Sequence, residues 1–314
     1  MSKKLIVFMH GLGDNLMLTP TIHALKEKAP NDEIHIAGFK YLPLGDIWEP
    51  NPYVTSYHEL DIDFHPTYWN SEKLLEEMPI IQLAIDKLSK KIEADEVFFV
   101  TIKDKSIHEI FSIGKELGVE ELHPDMEIYQ TKKDEQIAKD LIKQYPHLQK
   151  GKFYVLHQGA GNYIKAWDMK ECEQFMHLIE KETGFIPFII DNPKEDKPQF
   201  KNAIYSSQLA KVTPGAVSEI MQKAKFFVGT DSFPMHLATA TNLPIVSLFI
   251  STSIEKTGPL SDNIIFLCSL YVYTHTPLPI HYEHPNMMLG SYDDKIKYEQ
   301  AFKAVKMLRG IVLK

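Results

Sequence analysis

The sequence predicts an α/β protein built as two units, each a parallel β-sheet covered by helices. Three observations lead there. Short apolar runs alternate with longer stretches of helical spacing along the chain, the pattern of repeated βα units. The alternation stops at residues 145–152 (YPHLQKGK), a stretch of Pro, Gly and charge, and then begins again. The length of 314 residues exceeds one ordinary domain and suits two of about 150 residues each. The expected division is residues 1–148 and 149–314.

The elements run in order along the chain. Residues 4–9 read as a buried parallel strand, continuous, apolar and closed by a Gly-rich turn. Residues 15–29 come next as a helix, with Pro20 near its first turns or at a local break and Pro30-Asn31-Asp32 as its stop. A second strand spans 33–39. Residues 41–70 are irregular, with a short strand at 53–57. A helix at 71–93, interrupted near Pro79, precedes a strand at 96–102 and helices at 106–117 and 132–144. Past the break, a strand at 153–157 leads through a loop at 158–166 to a helix at 168–183 and a strand at 185–191. Thr213 caps a helix at 214–224 with Pro214 in its first position. A strand at 225–229, a short helix at 232–241 and a strand at 244–250 come next. Ile296, Tyr298, Phe302, Val305 and Leu308 then form one helical stripe within 294–308.

Composition excludes several classes. Hydrophobic residues at 44% and charged residues at 24% give an ordinary globular balance. A net charge of −8, with Arg309 as the sole arginine, disfavours nucleic acid, whose phosphates call for a basic surplus and whose guanines favour arginine. Cys172 and Cys268 form neither a disulfide framework nor a zinc pattern and fit a reducing cytoplasm. The apolar run after Lys3-Lys4 is too short for a secretion signal, and no segment approaches a membrane span. Peripheral contact with the inner membrane face stays open.

Three loops at strand carboxyl ends carry the chemistry, because ligands of such sheets bind there. In His10-Gly11-Leu12-Gly13-Asp14, glycines allow a tight turn and close approach to a ligand or phosphate. The dinucleotide fingerprint fails at Leu16, and no acidic residue ends the second strand. Asp14 reads either as the helix N-cap or as a general base. In Gln158-Gly159-Ala160-Gly161, small residues free backbone N–H groups, and Lys165 reads as a phosphate partner or a solvated lysine; Trp167 reads as a packing anchor. In Thr230-Asp231-Ser232-Phe233-Pro234-Met235-His236, a helix N-terminus favours a pyrophosphate. There Ser232 is a candidate cap, and His236 is a phosphate donor or a buried histidine satisfied by a carbonyl.

Together these stretches resemble glycosyltransferase family 9, the bacterial ADP-heptose:lipopolysaccharide heptosyltransferases. The matching residues are Gly13-Asp14-Asn15 through Thr19-Pro20 with Ala24-Leu25-Lys26, then His157-Gln158-Gly159-Ala160 with Lys165-Ala166-Trp167. Val228-Gly229-Thr230-Asp231-Ser232 through His236-Leu237-Ala238 completes the set. The resemblance implies a GT-B fold, two Rossmann-like domains with sheets facing across a cleft, the acceptor on the first and the donor on the second. It implies inverting transfer without a metal or other cofactor, from a nucleoside-diphosphate sugar to a saccharide or glycolipid hydroxyl. Asp14 is the implied base, Lys165 the partner of the donor phosphates, and Asp231, Ser232 and His236 the donor loop. The helix at 294–309 is expected to return to the first domain. This chain departs from the family at Phe233, where Gly is usual, at Ile250-Ser251-Thr252 for Gly-Pro-Thr, and at Gln158 for Pro. Those changes leave standing a catalytically silent nucleotide- or partner-binding module; a transferase acting on modified DNA bases is a further alternative, against which the negative charge and the single arginine count. Asp61-Ile62-Asp63 and the trio His275, His281 and His284 lack the converging ligands of a metal site and are set aside.

Overall fold

The structure is a computed structural model that describes residues 1–66, 71–159, 163–192, 198–209, 212–269, 287–289 and 295–311. Two compact units divide it, Met1–Tyr129 and Gln130–Lys314.

The first unit runs β1 (Lys3–Val7), α1 (Leu12–Lys28), β2 (Glu33–Phe39), α2 (Gly45–Trp48), β3 (Ser56–Leu60), α3 (Ser71–Ile92), β4 (Glu96–Phe99) and α4 (Glu109–Glu116). Its sheet has the order β3-β2-β1-β4, with every pair parallel. The run Leu5 to Met9 is fully buried, as a central parallel strand covered on both faces requires. Pro20 sits inside α1 rather than near its start, and cannot donate to the Leu16 carbonyl one turn back. The Thr19 hydroxyl donates to that carbonyl instead, at 2.7 Å, so the helix continues.

The second unit runs α5 (Lys132–Gln144), α6 (Pro146–Gln149), β5 (Phe153–His157), α7 (Met169–Thr183), β6 (Ile186–Ile189), β7 (Ile204–Tyr205), α8 (Pro214–Met221), β8 (Phe227–Thr230), α9 (Phe233–Ala240), β9 (Ile245–Phe249), α10 (Ile254–Thr257), β10 (Ile264–Cys268), β11 (Met287–Leu289) and a C-terminal helix, Tyr298–Met307. Its parallel sheet has the order β11-β10-β9-β8-β5-β6-β7. β10 was not anticipated, because a short apolar run has no period that separates strand from buried helix.

The units divide about fifteen residues before the Pro/Gly stretch that marks the break in the sequence, and that stretch is partly helical. Asp134 explains why α5 belongs to the second unit. Its carboxylate accepts from Thr131 N–H at 2.8 Å, from the Thr131 hydroxyl at 2.6 Å and from the Thr213 hydroxyl at the cap of α8. A Cβ on Gly215 would meet that carboxylate at 2.6 Å, so glycine lets α8 approach. Thr213 itself caps α8, accepting from Ala216 N–H at 3.1 Å. The C-terminal helix places Ala301, Ala304 and Val305 in the second unit's core with Phe175, Met176 and Leu267.

Candidate active site

In the first unit β1 lies between β2 and β4: the chain steps from β1 to β2 on one side and crosses from β3 to β4 on the other. The loop after β1 therefore sits at a topological switch point, where open α/β sheets leave a crevice. His10 is buried and stacks on Phe8 with ring centroids 4.5 Å apart. Burial first, then the charge of Lys105 and the neighbouring His65, lowers its pKa to about 3. Burial thus favours the neutral imidazole of His10 in the unliganded protein.

Gly11 serves this loop by proximity rather than by an unusual backbone. Gly11 is the N-cap of α1 with φ −66° and ψ 173°, a conformation open to any residue. A Cβ on it would, however, stand 3.3 Å from Asp14 Oδ2. Gly13 lies inside the first turn of α1 and is half-buried. Asp14 does not take the N-cap position, one of the two roles the sequence left open. It occupies the third helical position, half-buried, with Oδ2 accepting the Gly11 N–H at 2.9 Å. A carboxylate there is favoured by the helix dipole, and this bond sets its orientation.

Asn15, which sequence reading passed over, fixes that bond in place. Its side chain is fully buried and donates to His10 O at 3.1 Å and Gly11 O at 2.8 Å, while Oδ1 accepts from Trp48 Nε1 at 2.9 Å. The signal available was a polar side chain at the head of an apolar helix face.

In the second unit the switch point lies between β5 and β8. Gly229 pairs with His157 across it, and a Cβ there would come within 2.8 Å of the His157 carbonyl. This close approach brings two loops together. The Thr230 hydroxyl donates to Gly159 O. Gln158, in place of the usual Pro, donates through Nε2 to Trp167 O and accepts the Trp167 N–H at 2.9 Å, pinning both ends of the loop. Ala160 and Gly161 lie outside the described residues. Trp167 is buried and donates from Nε1 to Ile296 O at 2.7 Å, the anchor its position suggested.

Lys165 ends a single 3-10 turn, Tyr163–Lys165, with Nζ 3.3 Å from Asp231 Oδ2. Asp231 is buried, and its Oδ1 stands 3.8 Å from His236 Nε2. A lysine from one loop and a histidine from the next helix thus meet one carboxylate. Ser232 takes the N-cap position of α9 by its backbone, but its hydroxyl donates to Thr230 O at 3.2 Å and does not cap. Phe233 opens α9, half-buried, ahead of Pro234. His157 points its Nδ1–H at Ile190 O, 2.6 Å away, which fixes the ring at the carboxyl end of β5.

The remaining carboxylate pair is accounted for. Asp61 and Asp63 are exposed and both engage Lys40. Among the described residues no group of three His, Cys, Asp or Glu could hold a metal ion. His275, His281 and His284 lie outside the described residues. No described helix is long and apolar enough to cross a membrane.

The two Rossmann-like units place the chain in the GT-B fold class. The family model for glycosyltransferase family 9 (heptosyltransferase) matches residues 101–277, more than half of the chain, and the chain belongs to that family. Lipopolysaccharide heptosyltransferase 3 of Escherichia coli is 27% identical over 136 residues, covering 40% of this chain and 40% of that protein. A glycosyl transferase family 9 structure from Veillonella parvula DSM 2008 aligns with a TM-score of 0.71 at 16% identity, over 97% of this chain and 96% of that one. E. coli ADP-heptose lps heptosyltransferase II aligns at 0.67 with 12% identity, over 97% of each. At these identities the structural likeness is one of fold.

Proposed function

We propose that the protein is an inverting, metal-independent glycosyltransferase. It would move a sugar, with heptose as the first candidate, from a nucleoside-diphosphate donor to a hydroxyl of a saccharide or glycolipid acceptor. The reading rests chiefly on the convergence of Lys165, Asp231 and His236 at the carboxyl ends of β5 and β8. Family membership and the names of its relatives support heptose and a lipopolysaccharide acceptor. A glycolipid acceptor would bring the enzyme to the inner membrane face.

In this mechanism Asp14 removes the proton of the acceptor hydroxyl as its oxygen attacks the anomeric carbon. The carbon–oxygen bond to the diphosphate breaks on the opposite face, and the bonding pair leaves with the phosphate oxygen. Lys165 meets the negative charge that develops there, His236 donates a hydrogen bond, and the N-terminus of α9 adds its partial positive charge. Asp231 holds Lys165 and His236 in place before the donor arrives. Because protein groups meet the leaving charge, the step as drawn needs no metal ion. The second reading, a module that binds a nucleotide without transferring sugar, is favoured by Phe233 at the first turn of α9.

Calorimetry with ADP-, GDP-, UDP- and CDP-sugars, and then transfer assays on lipopolysaccharide-core acceptors, separates the two. Donor binding with transfer, lost in Asp14→Asn, supports the enzyme. Donor binding with no transfer to any acceptor supports the module.

A further inference from the structure

β9 neighbours β8, with Leu248 opposite Thr230 in the register. Past Phe249, Ile250-Ser251-Thr252 therefore leaves the sheet at the same end as the Asp231-Ser232 turn. Ser251 and Thr252 are half-buried residues, yet Ser251 Oγ and Thr252 Oγ1 are shielded and make no hydrogen bond. Their neighbours are satisfied: Ser253 Oγ donates to Glu255 Oε2 at 2.8 Å, and Ser269 Oγ donates to Ile250 O at 2.7 Å. A shielded hydroxyl without a partner costs free energy, and two in succession invite an explanation in function. Contact with a ligand would call for rotation of each hydroxyl about χ1, which breaks no hydrogen bond of the side chain.

We propose that Ser251 and Thr252 donate hydrogen bonds to phosphoryl oxygens of the nucleoside-diphosphate donor, as a second wall of the site formed by Lys165 and His236. The assignment deepens, and rests on, the sugar-nucleotide reading above. Phosphoryl oxygens are acceptors only, and hydroxyls one strand away from the Lys165–Asp231 pair supply matching donors.

The test uses the full chain with Ser251→Ala, Thr252→Val and the double variant. Calorimetry is run with whichever of ADP, GDP, UDP and CDP binds the wild type most tightly, and with the same nucleoside lacking phosphate. The expected result is a Kd for the diphosphate raised roughly tenfold or more in the double variant, the worth of a hydrogen bond to a charged group. Nucleoside affinity should not change, and the thermal midpoint of the unliganded protein should hold or rise, because a hydroxyl without a partner is being removed. Unchanged diphosphate affinity, or a midpoint lowered by several degrees, would overturn the assignment and leave the sugar-nucleotide reading intact. A weakening seen only with the sugar attached would also overturn it, by moving the hydroxyls to the sugar. A wild type that binds none of the four diphosphates would overturn the donor reading as well.

Discussion

Asn15→Leu replaces a buried amide by an apolar side chain of nearly equal size, so its effect reports hydrogen bonding with little change in packing. Three side-chain bonds disappear. Gly11 O keeps the Asn15 N–H at 3.1 Å and loses little. The Trp48 indole N–H, on a fully buried ring, and His10 O lose the partners supplied by Asn15. Each such loss costs about 1–3 kcal/mol, and the apolar gain of the leucine offsets on the order of 1.5 kcal/mol. The net expectation is about 1–4 kcal/mol of lost stability in the first unit. Two units need not unfold as one transition, so urea unfolding is monitored together with hydrogen exchange of peptides from β1 and α1. Exchange should rise there and stay constant in β5 and β8. Trp48→Phe attacks the same network from its other end, and the double variant should cost less than the sum of the singles. A loss below about 0.5 kcal/mol, or strict additivity, would refute the view that this network holds the Asp14 loop.

Lys165→Ala should lower kcat on the order of a hundredfold and weaken diphosphate binding, with fold intact by circular dichroism; equal rates would remove it from the leaving-group site. His10 carries a pKa lowered to about 3 against an ordinary 6.5. Its contribution is therefore fully present above pH 6.5 and is lost as pH falls from there toward 3. His10→Gln should flatten that part of the stability profile, as measured by denaturant midpoints. Cys172 and Cys268 are buried, with burial raising both thiols and pushing Cys268 up to about 12. Neither should react with iodoacetamide at pH 8 until the chain is unfolded, and fast labelling of the native protein would contradict that burial. Gly229→Ala forces a Cβ against the His157 carbonyl at 2.8 Å. It should destabilise the second unit by about 1–3 kcal/mol and weaken donor binding with it; a neutral result would show that the β5–β8 approach can relax.

Local chemistry was open to reading from sequence wherever a single stretch decides the structure. β5 falls at Phe153–His157 because an apolar run between turn signals has nowhere else to go. The caps at Thr213 and, for α7, Asp168 arise from side chains that bond N–H groups two or three residues ahead. The three loops were legible because glycines, charge and strand ends lie together in the chain. How those loops act on one another was not. Lys165 meets Asp231 across 66 positions and Asn15 meets Trp48 across 33. β8 had to dock beside β5, with Gly229 admitting the His157 carbonyl, before Gly159, Thr230 and Asp231 could share a corner. Periodicity fixes which face of a strand is apolar, whereas strand order is set by the packing of whole elements. A site assembled at a switch point is therefore decided by the tertiary structure.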